Sequence, residues 1–131
     1  MDMVHKMEMS YSYKPVLMLA VLKHADNHGR VKISNLVDFF RAFYADRRSK
    51  GLPIEKANSI YCRPDATDKE IERNILANPF KRFEDMQMMR HTKTLGIVEV
   101  DRAVWKKLTE SEKEEIRMIC QEKLATYYER L

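Results

Sequence analysis

Residues 88–100 read Met88-Met89-Arg90-His91-Thr92-Lys93-Thr94-Leu95-Gly96-Ile97-Val98-Glu99-Val100. Two short extended runs flank a small polar turn, the pattern of a β-hairpin. The other extended signal is Arg30-Val31-Lys32-Ile33, whose polar and apolar residues alternate as in a short strand with one buried face. Everything else with a period is helical, so the hairpin and its lone strand decide the fold.

Working back from the hairpin, Asn78-Pro79 breaks one helix and starts another, with Asn78 as cap and Pro79 at the first position. Phe80, Phe83 and Met86 or Met89 face the core. The preceding short helix opens on the capping box Thr67-Asp68-Lys69-Glu70 and shows Ile71, Ile75 and Leu76 inward. Residues 51–66 are irregular, with Pro53 and Pro64 as breakers. A loop this long in a small domain is often functional. Before it, Ser34 suits the N-cap of a helix carrying Leu36, Val37, Phe40, Phe43 and Tyr44, which Gly51 ends. The earliest helix starts at Pro15 and is apolar nearly all round, as a central helix must be. It stops at Asn27-His28-Gly29. Residues 1–11 are Met-rich and without period, and read as a flexible lead-in. After the hairpin, Thr109-Glu110-Ser111-Glu112 is a second capping box. Behind it Ile116, Ile119, Cys120, Leu124, Tyr127, Tyr128 and Leu131 form a helical stripe.

The order is helix, strand, helix, broken helix, hairpin, helix. It predicts a mainly α domain with a small β-hairpin, winged helix-turn-helix-like with an extra C-terminal helix, spanning 12–131. The long 51–66 segment departs from that plan, since a helix-turn-helix joins its helices by a short turn.

The chain has 131 residues, 44% apolar and 34% charged. That is one soluble globular domain. Only 3 Gly and 4 Pro argue against a turn-rich β-sandwich. No apolar run reaches a membrane span, and no signal peptide is visible. Cys62 and Cys120 make no disulfide framework, so a reducing, cytoplasmic compartment is expected. Net charge is +4, and the whole excess lies in residues 1–50, with nine basic and five acidic groups. That balance is compatible with a nucleic-acid partner.

If the winged arrangement holds, the helix Asn78–Met88 takes the reading position. Lys81 and Arg82 would then meet phosphates or base edges, and the wing would add Arg90 and Lys93, with His91. A second basic group is Arg47 and Arg48, with Arg63 in the loop. Each group also has a plain structural account: Glu84 and Asp85 neutralise the first, and helix-dipole compensation explains the second.

Catalytic chemistry is not evident. His24 and His28 are spaced i, i+4, but Gly29 follows at once and no third ligand is near. Cys62 has no activating His beside it, and Cys120 lies on a core stripe. There is no phosphate-cradling Gly-rich loop. No catalytic residue, metal or cofactor is expected.

Three blocks carry a resemblance. They are Tyr13-Lys14-Pro15-Val16-Leu17-Met18-Leu19, Asn58-Ser59-Ile60-Tyr61 and Arg73-Asn74-Ile75-Leu76-Ala77-Asn78-Pro79-Phe80-Lys81-Arg82-Phe83-Glu84-Asp85-Met86. Together they resemble a C-terminal accessory module of bacterial superfamily 2 DEAD/DEAH-type helicases associated with restriction and phage defence. The Lys-Pro-Val-Leu opening with the later Pro-Phe-x-Arg also loosely resembles sulfur-recognising DNA-binding domains of modification-dependent restriction enzymes. The first resemblance implies an accessory domain that engages nucleic acid or a partner subunit, without ATPase activity of its own.

The expected function is therefore non-catalytic nucleic-acid binding, to DNA first, within a helicase or restriction-type system. The alternative is a protein-docking or dimerisation module working through the C-terminal helix, as a homodimer or on a helicase. The destination of that helix's apolar stripe discriminates the two.

Overall fold

The computed structural model describes residues 2–131, with side chains from Val4 onward. Helices α1 (Asp2–His5), α2 (Tyr13–His24), α3 (Ile33–Ser49), α4 (Asp68–Ala77), α5 (Pro79–Asp85), α6 (Arg102–Lys107) and α7 (Glu110–Arg130) surround strands β1 (Arg30–Lys32), β2 (Met89–Thr92) and β3 (Ile97–Val100). The protein is mainly helical, with a small antiparallel sheet ordered β1-β3-β2. The strand after the first long helix does pair with the hairpin: Val31 faces Val98, and Val98 faces His91.

α2 is the hub because it has no polar face to spare. Val16, Leu17 and Ala20 are fully buried, and the helix packs between α3 and α7. It begins at Tyr13, so Pro15 stands third rather than first, still within the turn whose N–H groups lack helical partners. Pleat alternation sorts the sheet. Val31, Val98 and Met89 enter the core, while Arg30, Glu99 and Arg90 share the outer face.

Both capping boxes form as read, at Thr67–Glu70 and Thr109–Glu112. Three details are corrected. Ser34 does not cap α3; the N-cap lies two residues earlier, at an extended Lys32, and the helix starts at Ile33. α6 was not anticipated; Asp101 caps it by accepting from the Val104 N–H at 3.1 Å. The supposed lead-in packs on the core, where Val4 and Met7 are buried and α1 lies on α7.

The α7 stripe turns inward. Ile116, Ile119, Cys120, Leu124 and Tyr127 are buried within the chain, Tyr128 is half-buried, and Leu131 remains exposed. Among the described residues no helix is long and apolar enough to cross a membrane.

The long loop is held by a buried acid. Glu55 accepts the Ser12 N–H at 2.8 Å and the Ser12 hydroxyl at 2.5 Å on one oxygen, and the Tyr127 hydroxyl and Lys56 N–H on the other. With its proton given to Glu55, Ser12 Oγ is left to accept from the Tyr44 hydroxyl at 2.6 Å. All six tyrosines gather here: Tyr44 stacks on Tyr61, Tyr11 on Tyr13, and Tyr127 meets Tyr128 edge-on. A buried carboxyl is tolerated only when its oxygens are satisfied, as these are.

Candidate nucleic-acid interface

On α4, Ile71 and Ile75 are buried; at 100° per residue Lys69 and Arg73 fall on the opposite side, while Glu72 and the half-buried Leu76, which packs against the core, lie on one flank. Those four lie within about 100° of arc. Glu72 and Leu76 line a groove of about 620 Å³, whose other wall is the hairpin turn and the start of α3. That wall supplies Lys32, His91, Lys93 and Leu95. A short 3₁₀ turn, Lys93–Leu95, followed by Gly96 at φ 61°, shapes the tip. The Ile33 N–H donates to the Gly96 carbonyl at 2.9 Å and braces the tip against α3.

Two cations line this groove, Lys32 and Lys93, while Lys69 and Arg73 lie on α4 outside its lining. Among the described residues, Lys32, Lys69, Arg73 and Lys93 make no ion pair and no side-chain hydrogen bond. Only Glu72 brings negative charge to the groove wall.

The seven cations singled out in the sequence are dispersed, and five are engaged within the fold. Lys81 lies 3.0 Å from Asp85 and 3.4 Å from Glu84, and these carboxylates, Asp85 foremost, raise its pKa. Arg90 faces Glu99 across the hairpin at 3.6 Å, with Arg30 on the other side of the same carboxylate at 3.9 Å. Arg63 pairs with Glu70 at 2.6 Å. Arg48 donates to the Tyr61 carbonyl at 2.6 Å. Arg47 stacks 3.4 Å above the Tyr128 ring and donates to the Pro53 carbonyl.

Arg82 and Lys93 are left, and they sit apart. Arg82 lines a separate recess with Lys6, Glu8 and Lys14, sharing no residue with the groove. Burial, then the nearby Arg82 charge, lowers the Lys14 pKa. α5 is also only seven residues long, with Phe80 and Phe83 buried. α4 is longer, at ten residues. Lys32, Lys69 and Arg73 were not singled out in the sequence. The i, i+4 spacing of Lys69 and Arg73, opposite Ile71 and Ile75, was the available signal.

Compared with known proteins, the chain matches no family model, no curated protein and no solved structure.

Other chemistry is sparse. α2 ends at His24, whose ring meets Phe39 edge-on, while His28 lies exposed in the following turn. Among the described residues, no three His, Cys, Asp or Glu side chains stand together as metal ligands. Cys62 directs its thiol at the Glu55 and Lys56 carbonyls. Burial pushes the Cys120 thiol up to about 12.

Proposed function

We propose that this domain is a non-catalytic nucleic-acid-binding module, acting on DNA as an accessory part of a helicase or restriction-type system. One observation carries the reading: among the described residues, Lys32 and Lys93, which line the groove between α4 and the hairpin turn, have no partner inside the fold, and neither do Lys69 and Arg73 on the neighbouring α4. A cation already paired gives little to a phosphate, since its partner must first be displaced. One facing only water exchanges water and counterions for the phosphate.

In this reading Lys32 and Lys93 hold phosphates from the hairpin side, and Lys69 and Arg73 from the α4 side. Ser34 and His91 offer hydrogen bonds within the groove. Four such contacts give a salt slope of roughly −3.6 in log K against log salt. Fluorescence anisotropy on duplex and single-stranded DNA across a salt series tests this. Salt-sensitive binding lost on reversing Lys69 and Arg73 to Glu supports it; binding indifferent to salt, or to those changes, removes it.

A further inference from the structure

The hairpin tip carries a residue that neither the core nor phosphate binding requires. Leu95 is 69% exposed, against 54% or less for the other exposed large hydrophobics among the described residues. It stands at the end of the 3₁₀ turn, next to Gly96, whose carbonyl is tied to the start of α3. The tip is thus braced from behind while its apolar side chain faces solvent. Leu95 lines the groove together with Lys32 and Lys93, and with Leu76 and Ile97. An apolar point between lysines is badly suited to water. It suits a partner with an apolar interior behind an anionic rim.

We infer that Leu95 is a wedge that enters a base step of duplex DNA while Lys32 and Lys93 hold the flanking phosphates; this rests on the DNA-binding reading above. Base pairs are stacked apolar plates edged by phosphates, and proteins that unstack them insert Leu, Ile, Met or Phe in this way. The insertion is least costly at flexible pyrimidine–purine steps and most costly in stiff A-tracts. The domain therefore favours duplexes with a central TA step over A-tracts of equal length, although it makes no base-edge hydrogen bond there.

The test uses the whole chain and duplexes carrying 2-aminopurine at a central TA step, whose fluorescence rises when the base unstacks. Wild type, Leu95→Ala, Leu95→Met and Lys32→Glu/Lys93→Glu are compared at saturating protein. The expected result is a rise with wild type and Leu95→Met, and loss of the rise with Leu95→Ala, which still binds with an unchanged salt slope. The lysine reversal loses binding itself. A rise that survives in Leu95→Ala, or wild-type saturation without a rise, overturns the wedge and leaves the DNA reading standing. If wild type binds no duplex at low salt, the DNA reading fails and the wedge fails with it. Leu95 lies outside the buried core, and a thermal melt of each variant checks that it is folded.

Discussion

The Tyr127 hydroxyl, on the last helix, donates to the buried carboxyl of Glu55 in the middle of the long loop. Burial and the Glu55 charge both raise the Tyr127 pKa. Through Ser12 the same carboxyl reaches the start of α2, so one acid ties three distant segments together. Tyr127→Phe should cost about 1.5–3 kcal/mol, the value of one hydrogen bond to a charged group. Glu55→Ala should cost more, about 3–5 kcal/mol, because it leaves several buried donors unpaired. Urea unfolding checks both; the midpoint should fall with little change in slope.

Arg63 and Glu70 make a surface pair with a defined pH signature. The Arg63 guanidinium, then the Thr67 N–H, hold the Glu70 carboxyl down at about 2, against an ordinary 4.5. The unfolded chain takes up this proton near the ordinary value, whereas the folded chain resists until about 2. The contribution is therefore fully present above the ordinary value and is lost as pH falls through that window. Both groups are exposed, so the effect is small and weakens with salt. In Arg63→Ala, NMR titration should show the Glu70 pKa moving up toward the ordinary value.

Gly29 and Gly51 both adopt positive φ, at 78° and 68°, but their surroundings differ. A Cβ on Gly29 would lie 2.8 Å from Cγ of Trp105, whereas one on Gly51 would meet nothing within 4 Å. Gly51→Ala should cost about 1 kcal/mol, for the left-handed backbone alone. Gly29→Ala should cost about 2–4 kcal/mol, since it must also displace the indole. Paired thermal melts separate the two costs.

The cysteines should react one at a time. Cys120 is buried with its thiol pushed up to about 12, while Cys62 is partly exposed. A disulfide reagent should modify one thiol per native chain and the second only on unfolding. Two fast reactions in the folded protein would contradict the packing of α7.

What could be read from the sequence was what local chemistry dictates. Thr67 with Glu70 and Thr109 with Glu112 meet within one helical turn, so four residues specify each cap. The hairpin and the α7 stripe follow from spacing alone, but that the stripe turns inward is shown only by the fold. α6 escaped notice because six residues are too few for a period, although Asp101 marked its start. Val4 and Met7 escaped because their burial depends on α7, far along the chain. The site was less legible for the same reason. Whether a cation is free depends on partners set by tertiary structure. Arg90 meets Glu99 only through strand register, and Arg47 meets the Tyr128 ring only because α7 passes the end of α3. Sequence shows which residues are charged, and the fold decides which remain unpaired.

On the proposed function, the groove between α4 and the hairpin turn, rather than α5, binds DNA. The most direct test compares salt-dependent duplex binding by wild type, Lys32→Glu/Lys93→Glu and Lys81→Glu/Arg82→Glu. Reversing Lys32 and Lys93 should abolish binding, while reversing Lys81 and Arg82 should leave most of it. Loss with the α5 variant and retention with the groove variant would contradict that reading.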